Sequence, residues 1–227
     1  NINTDMADLK QDKRKQILDQ LNWDNRLEIK DLEVDVMDGR LTMRGSVPSY
    51  NSMRAAEESA YVIPGINEVD NDLVINYPDD ITVPTDEDIR STIATTIEWN
   101  NNLQSNRIEV SVNDGVVTLK GSFDKFWKKR LAEDISYSTT GVIAVENQIK
   151  IKPKDEVIDD IIKRDIQAAL QRNYQVDAES IEVKVEDGIV TLSGEVPDFN
   201  AARAAEVSAQ HTNGVSEVRN QVVIKKI

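Results

Sequence analysis

The sequence contains no cysteine and a single histidine, His211. Disulfides, thiolate nucleophiles and cysteine-based zinc sites are therefore excluded, and a multi-histidine metal site has no second ligand. A Ser-His-acid triad would have to use His211. The absence of cysteine does not fix a compartment, because a disulfide-free chain is stable on either side of a membrane. No apolar run approaches the roughly 18 to 20 residues of a membrane span, so no transmembrane segment is expected and membrane contact would be peripheral. Positive charge is in deficit, with 27 Lys and Arg against 41 Asp and Glu, a net charge of −14. Nucleic acid is disfavoured as a partner, since its phosphates bind through displaced counterions and need a basic face. There is no Gly-rich phosphate loop.

What is present is 39% hydrophobic and 30% charged residues, the composition of a soluble globular protein. At about 150 residues per domain, 227 residues suggest one or two domains. An internal repeat overrides that arithmetic. LEVDVMDGRLTMRGSV from Leu32, IEVSVNDGVVTLKGSF from Ile108 and IEVKVEDGIVTLSGEV from Ile181 are one segment in three copies. Their Asp-Gly glycines are Gly39, Gly115 and Gly188, periods of 76 and 73 residues. A second glycine follows six residues later (Gly45, Gly121, Gly194), and a third follows 26 after the first (Gly65, Gly141, Gly214). The third opens a shared ending, Gly-Ile/Val-x-x-Val-x-Asn, that closes on Asn71, Asn147 and Asn220. The expected divisions are residues 1–78, 79–152 and 153–227, with linkers near 77–84 and 152–155. Modules of this size hold only a thin core, so contacts between neighbours are expected to add stability.

Each copy reads alike. Ile89, Ile93 and Ile97 form the apolar stripe of an amphipathic helix, repeated as Ile158, Ile162, Ile166 and Leu170. Copy one keeps Leu9, Ile17 and Leu21 but interrupts the stripe with Lys13, so its first helix should be the loosest. Thr85 or Asp86, and Asp155, stand where N-caps are wanted. Alternating strands then meet across Asp-Gly, the strongest short hairpin signal. An Ala-rich helix follows, ended by the third glycine, and an alternating strand closes the copy. The expected fold class is α+β: three αββαβ modules, each a three-stranded mixed sheet with two helices on one face and a right-handed crossover.

These spaced motifs resemble the BON domain, the module of bacterial osmotic-shock and nodulation proteins, in three tandem copies from about Asp5 to Ile227. The resemblance implies a periplasmic stress protein, often secreted or lipid-anchored, with roles in phospholipid or envelope binding. Some relatives sit beside a potassium-binding or pore-forming domain. It carries over no catalytic motif and no cofactor, so the expected function is non-enzymatic binding or scaffolding in the envelope or in osmotic stress. Periplasm or envelope is the expected location, with the cytoplasm as the alternative. Asn1 in place of an initiator Met fits a removed signal peptide or a trimmed chain equally. The oligomeric state is not legible.

The main departure from the repeat is Lys125-Phe126-Trp127-Lys128-Lys129-Arg130. Phe126 aligns with Tyr50 and Phe199, and Arg130 with Arg54 and Arg203, so those two belong to the shared scaffold. The lysines replace Ser49, Ser52 and Met53 of copy one, and Trp127 aligns with Asn51 and Asn200. Residues 80–152 accordingly hold 9 basic and 11 acidic side chains, net −2, against −7 for residues 1–79 and −5 for 153–227. A Trp among cations has the composition of an interfacial contact with anionic phospholipid. The plainer alternative is a Trp packed on a neighbouring domain beside a solvated basic face. A protein-protein adaptor without lipid affinity, using strand edges or the polar sheet face, is the alternative function.

Trp23 and Trp99 are equivalent positions after the first helix and are expected to pack in the core or at the helix end, with Arg172 in their place in copy three. Asn71, Asn147 and Asn220 are expected to bond the backbone of an adjacent loop. His211 reads as a surface or packing residue. The acidic run from Asp31 to Asp38 lacks the spacing of a calcium loop, and alternation puts Glu33 and Asp35 on a solvated strand face.

Overall fold

A computed structural model describes residues 14–225, apart from 25–26, 28, 38, 64, 67, 78–80, 104–107 and 155–156. In the first module, α1 covers described residues 14–23. It is followed by β1 (Lys30–Met37), β2 (Arg40–Val47), α2 (Tyr50–Tyr61) and β3 (Glu68–Ile75). The second module is α3 (Asp86–Trp99), β4 (Glu109–Asn113), β5 (Val116–Phe123), α4 (Phe126–Tyr137) and β6 (Ala144–Ile151). The third is α5 (Asp159–Arg172), β7 (Ile181–Glu186), β8 (Ile189–Val196), α6 (Phe199–Gln210) and β9 (Glu217–Ile224), with one 3₁₀ turn at Ala178–Ser180. The sheets run β1-β2-β3, β4-β5-β6 and β7-β8-β9. In each, the first pair is antiparallel and the second parallel, which makes three αββαβ modules. Residues Pro84–Lys225 form one compact unit and the residues before Pro84 another.

The helices follow their apolar stripes. Ile89, Ile93 and Ile97 are buried along α3, and Ile162, Ile166 and Leu170 along α5. Thr85 caps α3 in a capping box with Asp88, and Asp86, Glu87 and Asp88 meet the positive end of the helix dipole. The start of α5 differs from expectation: Ile158 is the N-cap, has no side-chain bond and is exposed, so it leaves the stripe. Asp155 lies outside the described residues, as do Leu9 and Lys13 of copy one. The reason for the later start lies in the hairpin. Asp159 accepts from the backbone N–H of Asp187 (2.8 Å) and of Gly188 (2.9 Å), so its carboxylate must stand in the first helical turn over the Asp-Gly turn. Asp86 does the same for Asp114 (2.8 Å) and Gly115 (3.0 Å).

Asp114 and Asp187 take φ values of 48° and 51°, each followed by a glycine of positive φ, as the two-residue hairpin requires. All nine glycines take positive φ. At Gly115 the first and third repeat glycines also meet, because a Cβ there would lie 2.7 Å from the carbonyl oxygen of Gly141. Behind each sheet the alternation buries one face: Leu41, Met43, Val47 and Leu73 in the first module, Val117, Leu119, Phe123 and Ile149 in the second, Val190, Leu192 and Val196 in the third. Ala56, Ala60, Ala132, Ala205 and Ala209 are fully buried, and their small side chains let the second helix lie close on the strands.

The repeated asparagines tie that helix down, which corrects the expected bond to a loop. Asn71 Nδ2 donates to the Met53 carbonyl (2.9 Å) and Asn147 Nδ2 to the Lys129 carbonyl (3.1 Å), both within the second helix. Oδ1 of each accepts from the N–H two residues on, at Leu73 and Ile149. Asn220 repeats the arrangement with Ala202 and Val222. The amide has both a donor and an acceptor to place, and the helix backbone and its own strand satisfy both.

Candidate functional site

The second helix of each module begins where the last buried residue of β2, β5 or β8 turns back over the sheet. Ser49 caps α2 by accepting from the Ser52 N–H, and Asp198 caps α6 by accepting from the Ala201 N–H. Module two breaks this rule: Lys125 is the N-cap of α4 and makes no side-chain cap bond. Losing such a cap costs about 1 kcal/mol. Lys128 and Lys129 also stand in the first turn, where the helix dipole favours anions over cations. Local rules broken in one copy of three mark a position shaped by something other than the helix start alone.

The structure divides the six residues of this segment. Phe126 packs against the hydrophobic core of the third module, so it joins the two modules of the Pro84–Lys225 unit. Arg130 pairs with Glu133 (3.2 Å), as Arg54 pairs with Glu58 in the first module. Lys128 is withdrawn from solvent: its Nζ lies 2.7 Å from Asp124, with the two side chains only 14% and 13% exposed. Lys154 of the following linker reaches the other oxygen of Asp124 at 3.5 Å. The Lys128 ammonium bonded to it holds the Asp124 carboxyl below the usual carboxylate range, against the opposing effect of burial, and Lys154 adds to the lowering. Trp127 is half-buried, with Lys128 Nζ 5.8 Å from its ring centroid, a cation–π distance. Lys125 is exposed and Lys129 partly so.

Around them stand cations that the reading of the segment alone misses. Lys120 is exposed near the end of β5, and Lys150, Lys152 and Lys154 are exposed along β6 and its continuation. The register places Lys120 beside Gln148 and Ser122 beside Lys150, and the Lys152 N–H extends the ladder to the Phe123 carbonyl (2.7 Å). In the other modules the residues equivalent to Lys150 are Val74, beside Ser46, and Val223, beside Glu195. The signal was present in the sequence as Ile149-Lys150-Ile151-Lys152-Pro153-Lys154, where alternate residues of an extended chain share one side. The ends of β5 and β6 and the start of α4 thus gather a basic pole on module two.

Other candidates fall elsewhere. Trp23 and Trp99 pack neither in the core nor at the helix end, contrary to expectation; they are 84% and 78% exposed. The apolar stripe of each helix already fills the contact with the sheet, and these positions lie off it. His211 is exposed at the end of α6, its Nδ1 2.8 Å from the Val207 carbonyl oxygen. Glu33 and Asp35 are on the exposed side of β1, and among the described residues no group of acids, histidines or cysteines could hold a metal ion. No described helix is long and apolar enough to cross a membrane.

Comparison with known proteins adds the following. The BON domain family matches residues 10–77, 85–153 and 158–226. No curated protein matches the chain. Among solved structures, CdsD, a structural protein of the type III secretion system of Chlamydia trachomatis, is 15% identical, with 96% of this chain and 92% of that one covered and a TM-score of 0.27. The periplasmic domain of PrgH, an inner membrane protein of the type III secretion system of S. typhimurium, is 14% identical, with 86% and 93% covered and a TM-score of 0.23. At these scores neither likeness bears on how this chain works.

Proposed function

The chain belongs to the BON domain family, in three tandem copies, and from that premise we propose that it is a non-catalytic binding and scaffold protein that attaches to anionic phospholipid through its second module. The observation that carries this reading is the basic pole, where Lys120, Lys125, Lys150, Lys152 and Lys154 are exposed in a chain of net charge −14. Each lysine at an anionic lipid surface contributes about 1 kcal/mol, so the four other than Lys154, which Asp124 already holds, support a weak, reversible attachment. Trp127 and Lys129 flank the pole, and an indole at the headgroup level suits such a contact. The first and third modules, divided from the second after residues 78 and 152, supply reach and further surfaces for partners. The setting that fits is the periplasm or cell envelope, and the occasion osmotic stress.

The test is co-sedimentation of the full chain with vesicles of phosphatidylglycerol and phosphatidylcholine. The expected result is pelleting with anionic vesicles at low salt, release as the Debye length shrinks toward 8 Å at physiological ionic strength, and loss in Lys150→Glu/Lys152→Glu. No pelleting with anionic vesicles at low salt overturns the lipid reading and leaves the adaptor, whose docking need not weaken with salt.

A further inference from the structure

The clamp on the hairpin fixes which end of the second module each terminus of α3 occupies. Asp86, in the first turn, accepts from the backbone N–H of Asp114 (2.8 Å) and of Gly115 (3.0 Å), so α3 starts at the hairpin end of the sheet. Ile89, Ile93 and Ile97 lie in one core with Val110, Leu119 and Phe123, so the helix runs along the sheet. Its 14 residues, at about 1.5 Å each, cover about 20 Å. The 8 residues of β5, at about 3.3 Å each, cover about 26 Å. Trp99, the last residue of α3, therefore stands at the end opposite the hairpin. At that end β5 and the parallel β6 finish, β4 begins and α4 starts, which makes it the end that carries the basic pole.

The exposed indole is held on an ordered helix end, because the Asn100 N–H bonds back to the Thr96 and Ile97 carbonyls and Asn100 Oδ1 accepts from the Asn102 N–H (3.0 Å). Two acids share this end: Glu98, which is exposed, and Glu109, which the register sets beside Lys120. Against them stand Lys120, Lys125, Lys150 and Lys152, all exposed, so the end is positive. An acidic soluble partner would meet the lysines and offer the indole nothing. The boundary of an anionic bilayer suits both, with charged headgroups for the lysines and an amphipathic layer for the ring. The other modules lack this combination. The first keeps an exposed indole, Trp23, but has Val74 where module two has Lys150. The third, whose α5 is clamped to its hairpin by Asp159 in the same way, has Arg172 in place of Trp99 and Val223 in place of Lys150. Among the described residues, an exposed indole beside lysine-bearing strand ends is thus particular to module two and not a by-product of the fold.

We propose that the second module docks end-on, with Trp99 seated among the headgroups of an anionic bilayer and the Asp114-Gly115 hairpin directed into solvent. This rests on the lipid reading above and adds to it an orientation and a second helix. Emission is read from a Trp23→Phe/Trp127→Phe chain, whose one remaining indole is Trp99. It is mixed at low salt with vesicles of phosphatidylglycerol and phosphatidylcholine, with and without brominated acyl chains. A blue shift and quenching by the bromine are expected, and neither with phosphatidylcholine alone. Because the chain has no cysteine, Asn113→Cys places a single environment-sensitive label on the exposed hairpin, and its emission should stay that of a label in water. In co-sedimentation Trp99→Ala should weaken binding about tenfold, the worth of taking a large apolar side chain partly out of water, while Trp99→Phe retains it; the ring is exposed, so both variants keep the fold. If the unaltered chain does not pellet with anionic vesicles, the lipid reading falls and the docking with it. If it pellets and Lys150→Glu/Lys152→Glu releases it, the lipid reading stands, and the end-on docking alone is overturned by an unmoved Trp99 emission, by Trp99→Ala pelleting as the unaltered chain does, or by a hairpin label that enters the bilayer.

Discussion

Asp124 holds two lysines from different segments, Lys128 at the head of α4 and Lys154 in the linker beyond β6. Its carboxyl is held below the usual carboxylate range chiefly by the bond from Lys128, so it stays charged in the folded protein to a lower pH than in the unfolded chain. The stability it contributes is therefore complete above the unfolded-state value of about 3.9 and is lost as pH falls through the lower folded value. Asp124→Asn should lower stability at pH 7 by about 1 to 2 kcal/mol, and urea titrations should show the gap closing toward pH 3. A gap that persists there would assign the effect to packing. At this scale the sequence was a partial guide. Trp23 and Trp99 share a position, which locates them on the backbone but not relative to solvent, because burial depends on which side of the helix meets the sheet. Lys128 read as a free cation because its partner Asp124, four residues earlier on the chain, becomes its neighbour only when the helix forms.

The αββαβ order, the hairpins and the core faces were legible because each rests on a period of 3.6 or 2 or on the Asp-Gly pair. The tie between elements was not legible, since nothing in local pattern states that Asp86 and Asp159 will reach a turn 28 residues away. That tie misplaced the start of α5, where Asp155 has the look of a cap and Asp159 has the actual task. Each clamp carboxylate takes two backbone N–H groups of the turn, and hydrogen bonds to a charged group are the stronger kind. Asp159→Ala should destabilise the protein by about 1 to 3 kcal/mol, whereas Asp160→Ala, next along the helix and exposed, should stay within about 0.5 kcal/mol. Urea unfolding of the two variants decides it, and equal effects would reduce the clamp to a dipole contribution. In copy one the residue 28 before Asp38 is Lys10, which has no oxygen to accept with.

For the whole molecule, modules of about 75 residues are each near the lower limit of independent stability, so what couples them matters as much as what fills them. Within Pro84–Lys225 the coupling has two named parts: Phe126 lies on the core of the third module, and Asp124 links α4 to the linker through Lys154. The same short stretch that carries Lys125 of the basic pole thus also sets the junction between the second and third modules. Removing the ring exposes apolar surface on the third module and leaves the second module's own core intact, since Val117, Leu119, Phe123 and Ile149 are buried without it. Phe126→Ala should therefore cost about 1 to 3 kcal/mol, less than a fully buried Phe because the ring is only partly covered. Hydrogen exchange read by peptide should locate that loss: faster opening across α5, β7, β8 and β9, with β5 protected as before. Equal acceleration in both modules would mean that the ring supports the second core as well, and no acceleration in the third would show that the two modules fold without reference to each other.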